Sequence, residues 1–328
     1  MKKRAFFLIS LLTILFVPVF AFGQNIRVLI LDKRFPLLPD NDTALKQIGN
    51  IKGELLLRGI NYRGRIEVWK GKKGLYVINE LPLEEYVKSV VYSETTDDWQ
   101  YEALKVQAVI VRTYAVRQIM KNRDSLYHLS SSTLHQIYRG NHRDELIEKA
   151  VDDTRGLILT YKGEPIEALY HSTCGGMTEY AEEVFSKSLP YLKPVKNDCS
   201  ISPYWRWRKR IDKREIERAL KLENILDLEI AGFTKSGRVK TVRVITENNP
   251  IVISAKDLRR SLGWKRLPST WFDLTRKGET FVFDGRGYGH GVGLCQWGAL
   301  EMAQKGKNFR YILSYYYPGT RLERYHED

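Results

Sequence analysis

Cysteine is scarce in this chain, with three in 328 residues at Cys174, Cys199 and Cys295. At most one disulfide can form, and one thiol is then left over. No low-complexity tract and no internal repeat occurs, which excludes a solenoid or a long disordered linker. The strand–glycine–helix segment near the C-terminus has neither G-x-G-x-x-G nor G-x-x-x-x-G-K-[ST] spacing, so dinucleotide and P-loop nucleotide binding are set aside. No apolar run reaches the roughly twenty residues that a membrane-spanning helix needs.

The longest apolar run, Phe6 to Phe20, is about fifteen residues and follows the cations Lys2, Lys3 and Arg4. Pro18 breaks it near its end, and Ala21 and Gly23 place small residues before Gln24. This is the pattern of a secretory signal over residues 1–23, with a mature start near Gln24. The alternative is an uncleaved anchor. No cysteine follows the run, which argues against a lipoprotein anchor.

About 305 residues then remain, enough for one large domain or two smaller ones with a substantial core. Removing the three signal cations from the formal +14 leaves +11. That balance favours acidic cell-envelope polymers or phospholipid headgroups, or else serves only solubility. Export makes nucleic acid the least expected partner. In an oxidising compartment Cys174 and Cys199, the nearer pair in sequence, would close a loop of about 25 residues worth ~3 kcal/mol by loop entropy. Cys295 reads as a small buried hydrophobe.

Short β runs at Ile26–Leu31, Glu54–Arg58, Arg65–Trp69 and Gly74–Ile78, separated by turn residues, predict a β-rich N-terminal module over residues 24–80. After Leu81-Pro82, the spacing of Leu83, Tyr86, Val87 and Val90 predicts a helix. A second helix follows Asp97-Asp98, which can cap it, with Leu104, Ala108, Val111 and Ala115 as its apolar stripe. Strands at Leu157–Tyr161 and Ile166–His171 read as a hairpin around Lys162–Pro165. Residues 211–267 have the character of a small inserted lobe, with helices near Arg214–Leu222 and Ala255–Leu262 and strands near Leu226–Ile230 and Val239–Ile245. A strand at Thr280–Phe283, the glycine run and a helix from about Leu294 to Lys305 complete an α+β chain.

Three clusters can carry chemistry. In Arg286-Gly287-Tyr288-Gly289-His290-Gly291-Val292-Gly293 the alternation predicts an extended segment with Arg286, Tyr288 and His290 on one side and bare backbone open to a polymer on the other. The competing reading is a glycine turn needed for tight packing. In His171-Ser172-Thr173-Cys174-Gly175-Gly176 a Cys–His nucleophile, a metal site and a structural turn with a disulfide compete. An exported thiolate with Cys199 at hand is a poor nucleophile, and zinc would find only His171 and Cys174 locally, with His135 from afar. The third cluster is Glu94, in a polar notch of Tyr92, Ser93 and two threonines between the helices. A carboxyl in such a cleft loses hydration and holds its proton, as a general acid must.

Several motifs in order also resemble the SpoIID/LytB family of bacterial cell-wall proteins. They are Leu81-Pro82-Leu83-Glu84-Glu85-Tyr86-Val87, Ser93-Glu94, Trp99, Glu102-Ala103-Leu104-Lys105, Gln107-Ala108, Arg112-Thr113-Tyr114-Ala115 and Gln136-Ile137-Tyr138-Arg139-Gly140. His171 to Gly176 with Thr178-Glu179, Tyr191-Leu192 with Val195, Gly287 to Gly293, and Gln296-Trp297-Gly298-Ala299 continue the series. The resemblance covers about Leu81 to Leu322 and implies a SpoIID-like catalytic domain over residues 81–328. It implies an exported, cell-wall-associated lytic transglycosylase that cuts the MurNAc–GlcNAc bond of peptidoglycan to 1,6-anhydro ends, Glu94 being acid and then base. Ser93, Arg112, Tyr114, His171, Arg286, Tyr288, His290 and Gln296 would line the glycan groove. The family also includes non-catalytic enhancers of a cell-wall amidase, which stands as the alternative. Some members bind zinc through a Cys/His cluster before the Gln-x-Tyr element; here Leu126 to His135 has no cysteine, so neither metal nor cofactor is expected.

Overall fold

The computed structural model describes residues 24–34, 45–71, 74–95, 99–131 and 136–325. The signal segment, Asp97, Asp98 and His135 lie outside them. No helix among the described residues is long and apolar enough to cross a membrane.

The chain opens with four strands, β1 (Asn25–Arg34), β2 (Lys46–Leu57), β3 (Ile60–Gly71) and β4 (Gly74–Pro82). Helices α1 (Leu83–Glu94) and α2 (Tyr101–Lys121) follow, then β5 (Leu129–Ser130) and α3 (Glu145–Asp153). The first sheet runs β2-β3-β4-β1-β5, antiparallel except where β5 lies parallel to β1. Its strands do not enclose a core of their own. Ile26, Val28, Tyr62, Ile66 and Val77 pack with Tyr86, Val87 and Val90 of α1 and Leu104, Ala108 and Val111 of α2 in one buried cluster. The helical spacing read from the sequence is therefore the face that meets the sheet.

Pro82 is the N-cap of α1, where its fixed φ of −57° suits the entry and its missing N–H costs nothing. The cap of α2 is Gln100, so the capping expected of Asp97-Asp98 is replaced: the helix begins later, and its N-cap makes no side-chain hydrogen bond. Asp144 caps α3 in the ordinary way, accepting from the Ile147 N–H at 2.8 Å.

Next come β6 (Leu157–Tyr161), β7 (Glu164–Pro165), β8 (Tyr170–His171) and α4 (Ala181–Phe185). The expected hairpin forms over Lys162-Gly163, both at positive φ (55° and 85°), as a two-residue turn of this hand requires. Its second arm stops at Pro165. Instead of continuing as one strand to His171, the chain leaves the sheet, and β8 pairs in parallel with β15 (Leu294–Cys295), more than a hundred residues away.

The lobe comprises β9 (Trp207–Asp212), α5 (Lys213–Leu220), β10 (Ile225–Phe233), β11 (Val239–Thr246), β12 (Ile251–Ser254), α6 (Ala255–Leu262), β13 (Phe272–Lys277) and β14 (Thr280–Gly285). Its core runs from Ile211 to Phe283 and includes Val242, Leu258, Phe281 and Phe283, so β13 and β14 pack with the elements of residues 211–267. After β15 the chain ends in α7 (Gln296–Gln304), α8 (Phe309–Tyr316) and β16 (Arg321–Arg324), which pairs with β6. Mixed helices and small sheets make this the α+β fold that the alternation of patterns implied.

Candidate active site

Glu94 is the last residue of α1. The apolar spacing of this helix holds Val87, Val90 and Val91 fully buried, which leaves Glu94 half-buried at its C-terminal end. Its Oε1 accepts hydrogen bonds from the Ile137 N–H at 3.1 Å and the Tyr170 hydroxyl at 3.2 Å. The Gln296 amide, at the start of α7, donates to the Glu94 backbone carbonyl at 3.5 Å and to Gln107 Oε1 at 3.5 Å. Burial raises the Glu94 carboxyl above the ordinary glutamate value of 4.5, outweighing the Ile137, Tyr170 and Gln296 hydrogen bonds and the Arg139 charge, which all act to lower it. The helix terminus works in the same direction, because its unpaired carbonyls carry partial negative charge that disfavours a carboxylate. The geometry is that of a carboxylic acid oriented through one oxygen, with the other able to carry a transferable proton.

Tyr170, missed in the sequence, is brought to Glu94 by the β8–β15 pairing. That pairing also seats His171, which is 4% exposed and shares Nδ1 with the Val292 carbonyl at 3.1 Å. Its Nε2 has no hydrogen-bond partner among the described residues. The His171 and His290 ring centroids are 5.5 Å apart. His290 Nδ1 accepts from the Val292 N–H at 3.1 Å, so this nitrogen is unprotonated. Burial pushes the His290 imidazole down to about 4 and His171 well below its ordinary value, so both are neutral near pH 7.

The glycine run is not an extended segment with an open bare face. Gly287, Gly289, Gly291 and Gly293 all take positive φ, from 73° to 113°. A Cβ on Gly287 would stand 2.8 Å from the Thr173 carbonyl oxygen, and one on Gly289 would stand 2.8 Å from His171 Cβ. The bare backbone thus serves close packing against the His171–Cys174 segment, the competing reading of the same glycines. Its side chains find separate neighbours. Tyr288 lies against Tyr204, with centroids 4.5 Å apart, and exchanges backbone hydrogen bonds with Thr173. Arg286 stacks on Trp271 at 3.7 Å and borders a recess of about 790 Å³ lined also by Trp207, Phe233 and Arg206.

Arg112 departs most from its expected place in the groove. It is fully buried and grips Glu84 with two hydrogen bonds of 2.8 and 2.7 Å, its remaining donors reaching the Ala108, Val151 and Leu157 carbonyls. With its donors so occupied it braces α2 against α1 and has none free for a substrate. Ser93 donates to the Ser89 carbonyl of its own helix at 2.8 Å. Tyr114 is partly buried, and desolvation pushes its hydroxyl up to about 12, with Glu167 adding to the shift. The family element Gln136 to Gly140 supplies the Ile137 N–H to Glu94, while Gln136 accepts from the Tyr86 hydroxyl at 2.9 Å.

The expected Cys174–Cys199 disulfide is not formed. All three cysteines are free, and the two Sγ atoms stand 3.5 Å apart, beyond the roughly 2.05 Å of a bond. Cys295, expected as a lone hydrophobe, joins them: the three sulfurs lie within 4.8 Å of one another.

Residues 71–161, which contain α1, Glu94 and Ile137, match the family model for the stage II sporulation protein, SpoIID. Residues 175–293, including the lobe, match a model for a domain of unknown function. The chain is 36% identical over 267 residues to the stage II sporulation protein D of Bacillus subtilis, covering 75% of each. It is 33% identical over 310 residues to an uncharacterised protein of Brachyspira hyodysenteriae, covering 92% of this chain and 83% of that one. The amidase enhancer of Bacillus subtilis is 28% identical over 292 residues, covering 73% of this chain and 40% of the enhancer. With its Ser-Glu and Gln-x-Tyr elements joined at one carboxyl and its length matched across most of a sporulation protein D, the chain belongs to the SpoIID family.

Proposed function

We propose that this protein is an exported lytic transglycosylase of the cell wall, with Glu94 as its acid and base. The observation that carries the reading is the half-buried Glu94 carboxyl, held through Oε1 by two neutral donors, its pKa raised by burial above the ordinary glutamate value of 4.5. In the first step the Glu94 proton passes to the glycosidic oxygen between N-acetylmuramic acid and N-acetylglucosamine. The C1–O bond breaks, the leaving sugar departs as an alcohol, and positive charge develops at the muramic C1. In the second step the muramic C6 oxygen bonds to C1 and its proton returns to the Glu94 carboxylate. No water is consumed and the product ends in a 1,6-anhydro ring.

One carboxyl suffices for this route, whereas hydrolysis would need a second to activate water. The groups recorded around the Glu94 carboxyl are N–H and O–H donors and the Arg139 cation. Neutral His290 and the Tyr288–Tyr204 pair offer a hydrogen bond and ring faces to a sugar chain.

The likeness to an amidase enhancer supports a second reading, in which the chain binds the wall and acts through a partner amidase. Wild type and Glu94→Gln, incubated with purified peptidoglycan stripped of stem peptides, separate the two. The transglycosylase reading expects soluble anhydro-ended fragments by mass spectrometry from wild type and none from the variant. Equal release from both removes Glu94 from the mechanism. Co-sedimentation of both with the wall and release by neither establishes the binding reading.

A further inference from the structure

Three residues past β8 begins a group that the proposed chemistry does not use. Cys174 follows β8 and the Ser172-Thr173 turn, Cys199 lies on the loop after Asn197, and Cys295 is the N-cap of α7. Three segments distant in sequence thus bring three sulfurs within 4.8 Å of one another, the residues being 1%, 0% and 0% exposed.

Simple apolar packing does not account for the polar groups aimed at these sulfurs. The Cys174 N–H donates to Cys295 Sγ at 3.1 Å, and the Gly175 and Gly176 backbone amides act to lower the pKa of the Cys199 thiol. Both glycines take positive φ, 76° and 116°. Arg238 is almost fully buried beside them, donating to the Cys174 carbonyl at 2.8 Å and the Met177 carbonyl at 2.6 Å. Two carbonyls also face the sulfurs, Asn197 at 3.9 Å from Cys174 Sγ and Ser172 at 3.6 Å from Cys295 Sγ, and accept the S–H protons of the metal-free site. Once those protons leave, N–H donors and a nearby guanidinium are what thiolates need.

We infer that Cys174, Cys199 and Cys295 form a three-sulfur site for a soft monovalent d10 cation, of which the cuprous ion is the type. A cation about 2.3 Å from three sulfurs in one plane holds them about 4 Å apart, a spacing the cluster already approaches. Zinc prefers four ligands, but among the described residues no histidine, carboxylate or fourth cysteine joins the group, and burial keeps water from the vacant position. Thiolates alone, in a dry site, select the softer ion. Three S–H protons leave as it binds, and the site then carries a charge of −2, offset by the N–H groups and in part by Arg238, whose charge is shared with the buried Glu179 at 3.9 Å. A bound cation would clip β8, the Cys199 loop and α7 together, fixing the strand that carries Tyr170 and His171 and the helix that carries Gln296. The inference stands apart from glycan cleavage and survives its failure.

The test uses the full chain, reduced and kept anaerobic, titrated with cuprous ion against a chromogenic chelator. One equivalent is withheld from the chelator, X-ray absorption finds three sulfurs and no nitrogen or oxygen around copper, and each single Cys→Ser variant binds at least about 100-fold more weakly. Should a serine variant fail to fold, as read by circular dichroism, the wild-type absorption spectrum decides alone. The inference is overturned by a reduced wild type that withholds no more copper than the triple Cys→Ser chain. Nitrogen or oxygen in the copper shell, or preferential retention of one zinc ion with four ligands, overturns it equally.

Discussion

Helix α1 carries a glutamate near each end, and the two are treated in opposite ways. Glu84, in the first turn, sits where the helix dipole favours a negative charge and is clamped by the two nitrogens of Arg112 at 2.8 and 2.7 Å. Glu94, at the last position, sits where the dipole opposes that charge and receives only uncharged donors at its carboxyl oxygen. One residue type on one helix thus gives a carboxylate clamped by an arginine that braces the fold and a carboxyl whose pKa burial raises. Environment, not residue identity, assigns the roles.

The largest expected effect breaks the bracing end. Arg112→Ala leaves Glu84 partly buried with no counter-charge and removes the donors of three carbonyls, so it lowers stability by about 3–5 kcal/mol, read by urea unfolding. Pairing it with Glu84→Gln recovers part of that loss, because the stranded charge is gone; no recovery would mean that lost packing dominates. At the acid end, Tyr170→Phe removes a donor that stabilises the carboxylate. Glu94 then holds its proton to still higher pH, the alkaline limb of the cleavage profile moves upward, and the rate falls roughly tenfold as the carboxyl loses an orienting bond.

A separate effect is the pH response of the neighbouring imidazoles. His290 titrates at about 4 in the folded chain, against 6.5 when unfolded, because burial disfavours its charge. Its contribution to stability is therefore complete above pH 6.5 and is lost as pH falls from 6.5 toward 4. Thermal melts across that interval should show a falling midpoint, and His290→Gln should flatten the slope.

The same contrast explains what could be read from the sequence. The apolar spacing of α1 and α2 located both helices, because local patterns determine local structure, whereas the choice of Glu94 rests chiefly on the family resemblance of its Ser-Glu motif. Arg112 was misplaced because its partner lies 28 residues away and nothing in a helical stripe says whether a cation points to solvent or into a brace. Tyr170 was passed over, and Ile166–His171 misread as one strand, because the pairing that shapes them is with Leu294–Cys295, fixed only by the tertiary fold. Cys295 looked like filler for the same reason, being 121 residues from Cys174. The glycine run supported two readings, and only the positive φ values decided between them.

The central claim, that Glu94 is an acid by virtue of its place on α1, is tested most directly by titrating that one carboxyl. Carbon-13 NMR of carboxyl-labelled protein, with the Glu94 resonance assigned by its loss in Glu94→Gln, reads the midpoint without substrate. The account predicts a midpoint above the ordinary glutamate value of 4.5; a midpoint at or below that value would contradict it.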